Sequence, residues 1–194
     1  MKKKLLMIAM ALMTAVCTQA QEQEDFSRHE VAVSYGAASN SQWISAFEHI
    51  GVVVATLGSA TYENESWTGP ISAEYFYHPE KWIGFGGIFV YGKNTQDVMV
   101  SGSSQGEITQ SYYTLMPAVK FDWLRKKYFG MYTKLGVGAT IRKDNYDGES
   151  ETATHFNWQA SLLGIETGSP NIRAFAELGF GEQGIILGGV RYKF

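Results

Sequence analysis

The chain has 194 residues, 45% hydrophobic and 18% charged, with a mean hydropathy of -0.15 and a formal net charge of -3. That is one domain's length, too apolar for a disordered chain, too polar for a bundle of membrane helices, and without the positive excess that nucleic acid attracts. Frequent glycine, 14% aromatic residues and only 4 prolines suit an all-β chain better than a helical one.

Residues 1–20 read as an address rather than as structure. Lys2, Lys3 and Lys4 form a positive start, Leu5 to Val16 is apolar apart from Thr14, and Thr18-Gln19-Ala20 places small residues where a secretory signal peptide is cut. The apolar run is short for an uncleaved spanning helix, which needs about 20 residues. Cleavage leaves residues 21–194 as the mature domain, with a net charge of -6 and no cysteine, because Cys17 departs with the leader. The alternative in which Cys17 becomes a lipid-modified N-terminus fits poorly, since bulky Val16 precedes it.

From residue 29 onward the chain alternates with period two over eight stretches, near 29–38, 68–77, 81–92, 108–124, 127–142, 154–167, 171–181 and 184–194. Short connections (His78-Pro79-Glu80, Arg125-Lys126, Ser169-Pro170) alternate with longer polar ones (39–67, 93–107, 143–153) until a final short one at Glu182-Gln183. An even number of strands with short turns on one side and long loops on the other predicts an antiparallel up-and-down transmembrane β-barrel of eight strands.

One face of these strands is apolar, with Tyr77, Trp123, Tyr128, Tyr192 and Phe194 at the short-turn ends in the manner of an interfacial girdle. The other face carries small residues and charges, and is therefore expected to point inward. Pro117 sits awkwardly in the fourth strand, where it forfeits a ladder hydrogen bond. Strict alternation in the sixth strand would put Glu166 on the apolar side, unless a bulge or the strand's end intervenes. The inward charges are Glu30, Glu74, Asp122 and Glu177 against Lys120, Lys134, Arg142, Arg173 and Arg191. An eight-stranded barrel is just wide enough for side chains to fill it, and charges inside must be paired or solvated. The expectation is a salt-bridged plug, with a gated ion pathway as the competing reading.

In the first long loop, Trp43, Phe47, Ile50, Val54 and Leu57 recur at helical spacing, and Ser41 is a candidate cap for a short amphipathic helix. Val52-Val53-Val54 favour a strand extension instead. The stripe would pack on the barrel rim, lie in the lipid interface, or form a ligand- or partner-binding lid.

Catalytic and metal motifs are sparse. His29, His49, His78 and His155 lie far apart in sequence, and no P-loop, GxSxG or HExxH pattern occurs. Gly84-Phe85-Gly86-Gly87 lies inside a strand, where glycine serves close packing. A lipid-modifying enzyme with a His-x-Ser pair would need serine where His155-Phe156-Asn157 has asparagine. No enzyme activity, cofactor or metal is expected.

The strands Glu30-Val31-Ala32-Val33-Ser34-Tyr35-Gly36 and Ile71-Ser72-Ala73-Glu74-Tyr75-Phe76, the block Leu115-Met116-Pro117-Ala118-Val119-Lys120-Phe121, and the ending from Phe175 to Phe194 resemble the small single-chain outer-membrane β-barrel proteins. The resemblance covers most of residues 29–194. It implies a Gram-negative outer-membrane location and no particular activity. Val190, Tyr192 and Phe194 resemble the signal read by the barrel-assembly machinery. The expected partners are outer-membrane lipid and that machinery, with no nucleic acid, and the protein is expected to be a monomer with a structural or surface-interaction role. A porin-like pore for ions or small solutes, a lipid-modifying enzyme and a soluble lipocalin-type barrel are the alternatives. The last lacks its early Gly-x-Trp motif.

Overall fold

Alternating side chains bury one face of every strand and expose the other, and antiparallel neighbours close the sheet on itself. The computed structural model describes residues 26–56, 60–101, 103–146 and 149–194. The leader, Cys17, Leu57 and the mature residues before Phe26 lie outside the described residues. The elements run β1 (His29–Ala37), α1 (Asn40–Ala55), β2 (Ala60–Glu80), β3 (Ile83–Val100), β4 (Ser103–Arg125), β5 (Phe129–Tyr146), β6 (Glu149–Gly168), β7 (Ile172–Gly181) and β8 (Ile186–Lys193). Each strand pairs antiparallel with the next, and β8 pairs back onto β1, from Glu30 opposite Lys193 to Ala37 opposite Ile186. The ring is a closed barrel.

The strands and their faces follow the period-two pattern, but β2 to β6 are longer than it indicates. The segments 93–107 and 143–153, expected as loops, are mostly strand, and β2 begins at Ala60 rather than near 68. Above the apolar belt, the outward positions Lys93, Asp97, Glu107 and Lys143 are as polar as the inward ones. Ladder hydrogen bonds continue there, while the hydrophobic alternation that reveals a strand has ended. β7, β8 and β1 have only 10, 8 and 9 residues, close to the 9–11 that a tilted strand needs to cross a bilayer.

The outward belt holds Val33, Tyr35, Phe89, Leu115, Leu135, Val137, Phe156, Leu178, Phe180, Ile186 and Val190, all exposed. At its short-turn end stand Tyr77, Trp82, Trp123, Tyr128, Tyr192 and Phe194. Pro117 is accommodated opposite Gly87 of β3, while the β4–β5 ladder is interrupted between Leu115 and Ala118 and resumes without a shift.

Glu166 does not follow strict alternation. A register irregularity between Ser161 and Leu163 lets Leu162 and Leu163 break the rhythm, and Glu166 turns inward with 1% exposure. Inward glycines make room for large neighbours. A Cβ on Gly164 would lie 2.4 Å from the Tyr132 ring, one on Gly84 2.6 Å from His78, and one on Gly130 2.7 Å from Glu166.

A helix does form in the first long connection, but Ser39 caps it rather than Ser41. Ser39 Oγ accepts from the Gln42 backbone N–H at 3.3 Å, and Gln42 Oε1 accepts from the Ser39 N–H at 2.9 Å. This reciprocal capping box was legible as Ser39-x-x-Gln42.

Candidate functional site: the filled barrel interior

Eight strands each aim alternate side chains into a lumen that, in a barrel of this size, is just wide enough for side chains to fill. Near the short-turn end, Lys120 Nζ donates to Glu30 Oε1 at 2.7 Å and lies 3.5 Å from Asp122. His78 stands between these acids, 3.4 Å from Glu30 and 3.3 Å from Asp122. Glu166 receives Arg173 at 2.8 Å and Arg191 at 2.7 Å, and also pairs with Lys193. Arg173 also donates to the carbonyls of Lys126 and Lys127, tying the β4–β5 turn to the network.

Higher in the barrel, Lys134 bridges Glu74 and Glu177, the latter at 2.9 Å. Tyr132 donates its hydroxyl to Glu177 at 2.7 Å. Arg191 joins the two groups. Its guanidinium lies within ion-pair distance of Glu30, Glu74, Glu166 and Glu177, and stacks 4.6 Å from the centre of the Tyr132 ring and 4.5 Å from that of Phe175. Glu30, Glu74, Asp122, Glu166 and Glu177 match Lys120, Lys134, Arg173, Arg191 and Lys193 in number, and all are buried. Two apolar clusters also point inward, one of Phe76, Ile88, Val90, Met116 and Ala118 and one of Ala32, Phe175 and Leu187, among buried polar side chains such as Ser72, Thr114, Gln159 and Gln183.

Of the interior charges picked from the sequence, Glu30, Glu74, Lys120, Asp122, Lys134, Arg173, Glu177 and Arg191 come together here. Arg142 does not. It stands at the upper rim, where it binds Glu48 of α1 at 2.9 Å and Asp144 at 3.1 Å. Glu166, Lys193 and His78 were missed. Lys193 was visible from its alternation with Arg191. Glu166 is out of step in its strand by sequence, with a bulge or the strand's end as the way out, and the bulge turns it inward; His78 was hidden by its place at a strand end read as a turn.

The upper end closes differently. Glu182, in the β7–β8 turn, accepts from the Ser41 N–H at 3.0 Å, the Ser41 hydroxyl at 2.6 Å and Asn157 Nδ2 at 2.8 Å. Burial raises its carboxyl above the usual carboxylate range, and the donors from Ser41 and Asn157 hold that rise back. Asn157 also accepts from Asn40 and donates to Thr140, each at 2.8 Å. Glu182→Ala is expected to loosen the first turn of α1 by about 2 kcal/mol, since hydrogen bonds to a charged group contribute roughly 1.5–3. Amide hydrogen exchange in α1 would then be roughly thirty-fold faster while that of the strands is unchanged. Unaltered exchange in α1 would refute this anchor.

A closed antiparallel barrel, apolar outside with an aromatic girdle and polar inside, is the architecture of an integral outer-membrane protein. The chain belongs to the outer membrane protein β-barrel domain family, which matches residues 8–170, and it resides in the outer membrane. Among solved structures it is similar to Ail, the attachment invasion locus protein of Yersinia pestis. The structure of Ail with the heparin analogue sucrose octasulfate is 16% identical, covers 86% of this chain and 99% of that one, and gives a TM-score of 0.45. Another Ail structure has the same identity and coverage and a TM-score of 0.42. No curated protein matches the chain.

Proposed function

We propose that this protein is a non-enzymatic outer-membrane barrel, monomeric, with a plugged, charge-paired interior and a structural or surface-interaction role. The carrying observation is Arg191, fully buried, reaching four carboxylates that come from β1, β2, β6 and β7 and so tying opposite walls together. A conducting path would need these pairs to part, and each ion left unpaired in a low-dielectric interior is costly. The strands that rise above the belt, together with α1, offer the surface for an external role. The non-enzymatic reading is supported at His155-Phe156-Asn157, where the side chain of Asn157 is engaged by Thr140, Glu182 and Asn40. Outer-membrane lipid surrounds the belt, and Val190, Tyr192 and Phe194 on the outward face of the last strand serve as the assembly signal.

Refolded protein in planar bilayers is expected to show little steady conductance. Glu177→Gln, which removes a charge beside Lys134, is expected to produce intermittent openings or a less stable barrel. Large, steady wild-type conductance would overturn the plug and favour a pore for ions or small solutes.

A further inference from the structure

We propose that α1 is a lipid-facing part of the barrel wall, its outward side lying against the outer leaflet of the membrane. The wall has a slot above β7, β8 and β1. Those strands stop at Gly181, Ile186 and Ala37, whereas β2 continues upward from Ile71 paired only with β3, and β6 continues upward from Gln159 paired only with β5.

The helix stands in this slot and touches each of its sides. Asn40 bonds Asn157 of β6, Gln42 donates to the Gly69 carbonyl of β2 at 3.5 Å, and His49 stacks on Tyr62 of β2 at 4.5 Å. Between Gln42 and His49, its neighbours on β2 change from Gly69 to Tyr62, so the helix climbs along the strand. Ser41 rests on Glu182 at the base of the slot. Ser45 and Glu48 point to the lumen side, where they meet Asn94 at 3.3 Å and Arg142.

The polar side of α1 thus faces the barrel, the reverse of a surface helix on a soluble core. The opposite side presents Trp43, Phe47, Ile50 and Val54, spaced i, i+4, i+7 and i+11 within about 60° of arc. They are 50%, 68%, 59% and 68% exposed, and no charged residue lies among them. Below this stripe stand the outward Tyr35, Phe180 and Ile186, and beside its first turn stand Ile71 and Phe156, the upper members of the belt. The extended strands behave differently, since their outward positions turn polar at Lys93, Asp97, Glu107 and Lys143. Among the described residues, a continuous apolar stripe rises above the belt at the low side of the wall, and it rises on the helix. Continuity with the belt identifies the occupant as lipid.

The test is spin-label accessibility in the full chain refolded into phospholipid vesicles, with Cys17→Ser as background and folding checked by heat-modifiable migration. Labels are placed singly at Phe47→Cys and Ile50→Cys, with Trp43→Cys in reserve if either fails to fold. Val190→Cys on the outward face of β8 is the lipid reference, and Asp97→Cys on β3 is the water reference. The α1 labels are expected to be relaxed by oxygen more than by a water-soluble nickel chelate, at a ratio matching Val190→Cys. A ratio matching Asp97→Cys would overturn the proposal by placing the stripe in water. Labels screened from both relaxants would overturn it in favour of a protein contact, such as a second copy of the chain.

Discussion

Arg191→Met is expected to destabilise the folded barrel by about 3–5 kcal/mol, the usual cost of breaking a buried ion network by removing one partner. The loss falls on several acids at once, because the guanidinium is shared by Glu30, Glu74, Glu166 and Glu177. Methionine keeps much of the volume between Tyr132 and Phe175, so a cavity contributes little of the effect. Urea unfolding in lipid vesicles measures it, with Lys143→Met on the exposed outer surface of β5 as a control that is expected to change stability by less than about 0.5 kcal/mol. Equal stabilities for the two variants would mean that the interior is hydrated and that Arg191 does not hold the walls together.

Charge on the outer face should cost nearly as much for a different reason. Leu135 and Val137 sit in the middle of the apolar stretch of β5, which runs outward from Phe129 to Ile141, and both are exposed to the surroundings of the barrel. Leu135→Arg or Val137→Arg places a cation near the bilayer midplane and is expected to cost roughly 2–4 kcal/mol in unfolding experiments in vesicles. The same substitution at Gly138 fails by collision, because a Cβ there would lie 2.0 Å from the Leu115 carbonyl oxygen. In detergent micelles, where a headgroup can move to meet the charge, the outward penalties should shrink while the Gly138 collision persists. Outward substitutions without effect in vesicles would contradict lipid contact at this height.

The two effects come from one geometric fact. A closed sheet sends successive side chains to opposite sides, one in contact with lipid and the other with a narrow polar lumen. A single-residue slip would exchange them, so the pairing register is strongly specified wherever the faces differ. Above the belt, where Lys93, Asp97 and Glu107 leave both faces polar, that specification weakens. Two of the register irregularities in the ladders lie in this upper part, between Glu63 and Ser66 and between Val98 and Met99.

Period-two alternation by itself determined the number of strands, their faces, the ends that carry aromatics and most of the interior charges, because lipid on one side and a crowded lumen on the other leave a signal in every second residue. The tertiary structure alone decided what depends on register and closure. A bulge at Ser161–Leu163, rather than the strand's end, brought Glu166 inside, a choice that the sequence left open. Strand stagger placed Arg191 among acids from four strands and left Arg142 at the rim with Glu48. The height of α1 above β7, β8 and β1 followed from where those strands stop, and so did the polar contacts that turn its apolar side outward. Alternation records which side of the sheet a residue occupies, whereas its partners depend on how far each strand slides past its neighbour, and that is fixed only when the ring closes.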